Sequence, residues 1–141
     1  MLKPGGRLGA SVWIDPDANP WTSILMHAIA TEVTLPPPDP NAPNMYRNAA
    51  PGNVSALFED AGLRDVAEWD VGVELVTRSV EEYWDVMSEH VSLAAAALRG
   101  VDESTRDRIR ATVVENVRPF EEDGAVRVPG MARCIVGTKP G

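Results

Sequence analysis

The segment that most restricts the fold lies at the N-terminus. Lys3-Pro4-Gly5-Gly6 has the composition of a type II turn. Pro4 pre-sets φ at the first central position, and Gly5 tolerates the positive φ of the second. Behind the turn, Leu8-Gly9-Ala10-Ser11-Val12-Trp13-Ile14 is almost uninterruptedly small or apolar. That pattern predicts a strand covered on both faces, with helices on either side of a sheet and a neighbour along each strand edge. At 141 residues and 44% hydrophobic content, the chain is long enough to bury such a strand in one domain spanning 1–141.

Local signals divide the rest. Asn19-Pro20 reads as an N-cap followed by proline at the first helical position. Trp21, Ile24, Leu25, Ala28 and Ile29 then recur at helical spacing, so a helix with one apolar face should end near Val33. Six of the twelve prolines, Pro36, Pro37, Pro38, Pro40, Pro43 and Pro51, fall within residues 36–52. Their missing donors predict a long, partly stiff loop of the kind that serves as a lid or binding loop. Val54, Leu57, Phe58 and Ala61 form the apolar face of a short helix that Gly62 ends, with Leu63 placed for the hydrophobic contact of a glycine C-cap. Between Glu68 and Val76, the residues Trp69, Val71, Val73 and Leu75 alternate with Glu68, Asp70, Gly72 and Glu74. This predicts a strand with one packed face and one wet face, whose carboxylates discourage edge-to-edge pairing.

Residues 79–118 read as a helical insertion. Ser79 and Glu82 form a capping box, Gly100 stops an alanine-rich helix over Leu93–Arg99, and Asp102 caps a third helix with a stripe of Ile109, Val113, Val114 and Val117. Asp123-Gly124 is a turn signal, and Met131–Thr138 is a last strand, apolar on both faces and therefore interior.

Charge and composition exclude several functions. A formal net charge of −8, with 13 scattered Lys and Arg, argues against nonspecific nucleic-acid binding and against an anionic membrane surface. Cys134 is the only cysteine, so no intrachain disulfide can form; in its apolar strand it reads as a buried, inert thiol. Two His and one Cys make a zinc cluster improbable, and no metal ligand is assigned. No apolar run approaches the roughly 20 residues of a membrane helix and no export signal opens the chain, so a cytoplasmic location is expected. His27 and His90 are the only side chains whose ordinary pKa suits proton transfer near neutrality, and neither has a convincing partner in the sequence. No catalytic residue is assigned.

Three stretches carry a resemblance. Leu2-Lys3-Pro4-Gly5-Gly6-Arg7-Leu8 resembles the turn before the fifth strand of class I S-adenosylmethionine-dependent methyltransferases, in particular the type 11-like group. Leu57-Phe58-Glu59-Asp60-Ala61-Gly62-Leu63 resembles their helix-to-sixth-strand junction, and Cys134-Ile135-Val136-Gly137-Thr138-Lys139-Pro140 is similar to their seventh strand. Together these span nearly the whole chain. The resemblance implies an α/β fold, one half of a Rossmann-like methyltransferase, with a small mixed sheet of three strands in which the last runs antiparallel in the middle. It also implies that the helices of 79–118 cover a substrate.

The cofactor-binding half of that family has no counterpart. No two glycines here are separated by a single residue, and the acidic ribose partner after the second family strand is missing. The family uses S-adenosylmethionine; no residue of this chain is assigned to it, and the chain alone is expected to be inactive.

Candidate substrate-contacting residues follow. Trp13 and Asp15 lie at the C-terminal end of the first strand, where open α/β sheets bind ligands. Tyr46 and Arg47 lie in the proline-rich loop, and Tyr83, Trp84 and Met87 form an apolar stripe that also suits plain core packing. Three readings stay open: the substrate-side part of a methyltransferase for a small organic acceptor, a dimeric small-ligand-binding module, or a subunit completing another chain's sheet. The expected partners are a second copy, through the Leu8–Ile14 edge or the helices, or a separate chain that binds the cofactor.

Overall fold

The computed structural model describes residues 2–37 and 43–141; the part of the proline-rich loop from 38 to 42 lies outside the described residues. Among the described residues the protein is a mixed α/β chain of five α-helices and a four-stranded sheet. In chain order these are β1 (Arg7–Trp13), α1 (Pro20–Glu32), α2 (Asn53–Asp60), β2 (Arg64–Thr77), α3 (Val80–His90), α4 (Ser92–Arg99), α5 (Glu103–Val117), a two-residue β3 (Glu121–Glu122) and β4 (Ala125–Thr138). The sheet order is β1-β4-β2, with β3 paired to β4. The last strand thus lies in the middle, as expected, and runs antiparallel to β1 with Arg7 opposite Thr138 and Trp13 opposite Ala132. Pro129 also belongs to β4, but outside that register, so its missing N–H removes no bond to β1. No helix among the described residues is long and apolar enough to cross a membrane.

Local chemistry sets the element ends. The Gly6 N–H donates to the Lys3 carbonyl at 2.9 Å with Gly5 at φ 76°, which completes the predicted turn. Gly62 ends α2 at φ 82°, and the N–H of buried Leu63 reaches back to the Phe58 carbonyl at 2.9 Å. Asp102 caps α5 by accepting the Thr105 N–H at 2.7 Å, and Ser79 caps α3 by accepting the Glu82 N–H at 3.2 Å. The rest of that capping box differs from expectation, because the Glu82 carboxylate takes the N–H and guanidinium of Arg78. Asn19 occupies the N-cap of α1 but does not cap it; its Oδ1 accepts the indole N–H of Trp21 at 3.0 Å.

The chain forms two compact units. The first comprises the described residues of Met1–Ala18, Asp39–Val73 and Met131–Gly141. Its core joins Val54 and Phe58 of α2 to Leu63 and Ile135, with Ala10, Val12 and Val66 packed against them. The second comprises the described residues of Asn19–Pro38 and Glu74–Gly130. There Leu25 and Ile29 of α1, Tyr83 and Met87 of α3, and Ile109, Val113 and Val117 of α5 close around Val126 and Val128 of β4. Both β2 and β4 contribute residues to each unit. In β4 the buried positions are the even-numbered Val126, Val128 and Gly130, then the odd-numbered Ile135 and Gly137. This change of phase helps explain why apolar residues run along the strand without simple alternation.

Three burial expectations are corrected. β1 is not covered on both faces: Ala10 and Val12 reach the core, whereas Leu8 is 44% exposed and Gly9 and Ser11 are open. The reason is that α2 supplies the only α-helix of the first unit among the described residues, and it packs on the Ala10 and Val12 side. Trp69 is 51% exposed because α2 instead lies over the Val66 and Glu68 face of β2. Cys134 is half-buried, since it alternates with Ile135, the residue that faces the core.

Gly130 shows how closely β4 approaches α1. A Cβ placed there would lie 2.7 Å from Trp21 Cδ1 and 2.9 Å from Asn19 Oδ1, the two partners of one hydrogen bond. Gly130→Ala should therefore destabilise the protein by about 1–3 kcal/mol through overpacking. Gly72→Ala, with nothing within 4 Å of its new methyl group, should be neutral or stabilising by up to ~1 kcal/mol. Urea unfolding midpoints of the two variants check the contrast.

Candidate functional site

The seven candidate residues do not all fall in one unit. Tyr83, Trp84 and Met87 lie in the second, where they are 0%, 4% and 2% exposed. The Tyr83 hydroxyl donates to the Trp21 carbonyl at 2.8 Å, and burial pushes its pKa up, so the phenol stays protonated. The Arg106 guanidinium stands 5.8 Å from the centre of the Trp84 ring. All three side chains are core packing.

Trp13, Asp15, Tyr46 and Arg47 belong to the first unit. Close to Asp15 and to the loop segment that carries Tyr46 stands a residue that sequence reasoning passed over, Arg133. Val12 of β1 is its register partner. The Arg133 guanidinium makes a bidentate pair with Asp70, Nε to Oδ1 at 2.7 Å and Nη2 to Oδ2 at 3.1 Å. Its Nη1 donates to the Ala49 carbonyl at 3.0 Å, and Glu68 Oε1 stands 4.0 Å from Nε. The signal for Arg133 was available: a single guanidinium inside the Met131–Thr138 run must find partners wherever it is shielded from water, and its side chain is only 11% exposed.

The surrounding residues extend this cluster in two directions. Toward the loop, Ala49 donates its N–H to the Tyr46 carbonyl at 3.0 Å, and the Tyr46 N–H donates to Asn44 Oδ1 at 2.9 Å. The loop segment bearing Tyr46 and Arg47 is thus tied through Ala49 to Arg133. Toward α2, the Glu68 carboxylate accepts the Gly52 N–H at 3.0 Å and the Ser55 hydroxyl at 2.6 Å, so a β2 side chain caps the helix where its dipole favours negative charge. Asp15, exposed just beyond β1, is near enough that its charge acts on Arg133.

Electrostatically the cluster is a locked pair. The hydrogen bond to Asp70 raises the Arg133 pKa first, partial desolvation opposes it, and the charges of Asp70, Glu68 and Asp15 add to the rise. Asp70 is held below the usual carboxylate range by its hydrogen bond from Arg133 and then by that residue's charge, against partial desolvation. An arginine in such a pair exchanges no proton near neutrality, so the cluster positions backbone rather than performing acid–base chemistry. His27 is exposed, and the His90 ring lies 3.1 Å from the Val86 carbonyl near the end of α3. Among the described residues no group of His, Cys, Asp or Glu could hold a metal, and no buried side-chain polar atom lacks a partner. A depression of about 250 Å³ lined by Glu59, Leu63, Arg64, Asp65 and Val66 lies at the C-terminal end of α2, opposite the end that Glu68 caps. No two glycines of the chain are separated by a single residue, so the sequence holds no Gly-x-Gly turn of the kind that lets backbone approach a nucleotide-like cofactor.

No protein-family model matches the chain, and no curated protein matches it significantly. Among solved structures it is similar to a "putative methyltransferase" from Bacillus halodurans C-125, at 15% sequence identity and a TM-score of 0.37. The alignment covers 99% of this chain and 54% of that one, so the chain spans about half the length of the structure it matches.

The pH dependence of the Arg133–Asp70 pair is testable. The folded-state pKa of Asp70 lies below its ordinary value of 3.8. The pair's contribution is therefore complete above about pH 4 and is lost as pH falls through the lowered folded value. The gap in urea midpoint between the wild type and Asp70→Asn should be widest at pH 7 and should narrow as the pH is taken below 3.8 and on through the lowered folded value.

Proposed function

We propose that this chain is the substrate-side C-terminal part of an S-adenosylmethionine-dependent methyltransferase acting on a small organic acceptor, and that it is inactive without a cofactor-binding half. The observation that carries the reading is the strand order β1-β4-β2 with β4 antiparallel to β1. The three sequence stretches that resemble the family imply this order, and a middle strand that comes last in the chain is a specific arrangement. The Lys3–Gly6 turn and the Gly62–Leu63 helix end, two of the family-like stretches, have the geometry that their residues imply.

In this reading the exposed Asp15 and half-buried Trp13, at the C-terminal end of β1, form one wall of the acceptor site. Arg133 holds the neighbouring loop segment through the Ala49 carbonyl. The net charge of −8 suits a small organic acceptor better than a nucleic acid.

The DNA upstream of the Met1 codon tests the reading. It should encode, in frame or as an adjacent gene, a glycine-rich βαβ segment; an upstream region with no such segment overturns the proposal. For the chain alone, isothermal titration with S-adenosylmethionine should give no heat of binding at micromolar concentrations. Micromolar affinity would mean that the chain carries a cofactor site of its own.

A further inference from the structure

We infer that the segment Asn44–Gly52 is a strap docked on the first unit by an electrostatic latch, and that it opens and closes locally while the rest of the protein stays folded. The latch is the network of Arg133, Asp70 and Glu68. Only the strap's place beside the acceptor site rests on the methyltransferase reading: Arg133 pairs in register with Val12, next to Trp13.

Apolar burial contributes little to the docking. Within the strap only Ala49 is buried, and Met45 is 42% exposed. A segment with so few buried apolar contacts belongs to the low end of local stability. Its turn bonds run from the Arg47 N–H to the Asn44 carbonyl at 3.4 Å and from the Ala49 N–H to the Tyr46 carbonyl at 3.0 Å. Both lie inside the strap and move with it.

Two charged side chains fasten the end that leads into α2. Arg133 Nη1 donates to the Ala49 carbonyl at 3.0 Å, and the Glu68 carboxylate accepts the Gly52 N–H at 3.0 Å and the Ser55 hydroxyl at 2.6 Å. These are charge-assisted bonds, stronger than their neutral counterparts. Arg133 projects from β4 and Glu68 from β2, so both anchors are fixed by the sheet and stay in place when the strap leaves.

The two fastenings are coupled through Asp70. Arg133 Nε stands 2.7 Å from Asp70 Oδ1 and 4.0 Å from Glu68 Oε1, so two carboxylates share one guanidinium. The bidentate bond to Asp70 fixes the fork with Nη1 on Ala49 and leaves Glu68 to Gly52 and Ser55. Without the Asp70 charge the guanidinium is free to turn to Glu68, which takes Nη1 off Ala49 and competes with the Gly52 N–H. One change at Asp70 therefore loosens both fastenings.

Limited trypsin digestion, read by mass spectrometry, tests the inference at the Arg47–Asn48 bond inside the strap. In the wild type the rate of this cut should not rise with urea well below the unfolding transition, as local opening requires. Asp70→Asn and Glu68→Gln should each raise it about tenfold. The double variant should fall short of the roughly hundredfold that independent fastenings would give. Arg133→Lys keeps the charge but gives up the fork, and should behave like Asp70→Asn. Cleavage after Arg99, exposed at the end of α4, should be unchanged in every variant. Asp70 and Glu68 lie on the outer strand β2 with partly exposed side chains, so far-UV circular dichroism of their variants should match the wild type. A wild-type cut after Arg47 that rises with urea, rates indifferent to Asp70→Asn and Glu68→Gln, or an equal rise after Arg99 overturns the inference. None of these outcomes bears on the methyltransferase reading, which depends on the upstream DNA.

Discussion

The rest of the structure depends on β4 being bonded on both sides. A strand with neighbours along both edges cannot slip by one residue without turning its buried side chains outward, so its register is the most strongly specified in the sheet. Val126 and Val128 anchor the second unit's core and Ile135 the first's, all three at or near zero exposure. Two glycines mark where β4 lies against other elements. Gly130 leaves room for the Asn19–Trp21 hydrogen bond, and Gly137 lies against Phe58 and Leu63, where a Cβ would sit 3.1 Å from both.

Polar groups in the first unit serve that same geometry. Arg133 projects from β4 and holds β2 through Asp70 and the loop through Ala49, while Glu68 projects from β2 and caps α2. With both charges satisfied by protein partners, the cluster offers a ligand little that is free to bind or to transfer a proton.

How much of this was legible in the sequence varied with the kind of signal. Turn and cap chemistry was local and read well: Pro4-Gly5, Gly62-Leu63, Ser79 and Asp102 sit where their residue types require. The middle position of the last strand was also expected, because the family resemblance implies that order and the two-sided apolar pattern of the strand agrees with it. Burial read less well. An apolar run such as Leu8–Ile14 shows what could be covered, but whether a helix lies on each face is settled by elements far away in the chain, and here α2 covers one face of β1. The same limit misplaced Trp69, since alternation reveals two faces without saying which one α2 chooses. Asn19 and Glu82 failed for a different reason: each had a second partner within reach, the Trp21 indole and Arg78, and took it. Trp13 and Asp15 were singled out by their place at a strand end, and they lie there, whereas Arg133 was hidden by the apolar residues around it.

The measurement that tests the central claim most directly is native-state hydrogen exchange resolved by residue. If β4 is the strand on which both cores are built, its amides from Ala125 to Thr138, apart from Pro129, exchange more slowly than those of β1 and β2 and open only with global unfolding. If instead the amides of β4 exchange as fast as those of β2, or if protection is confined to α1, α3 and α5 while 131–138 opens freely, β4 is not the strand that holds the fold together.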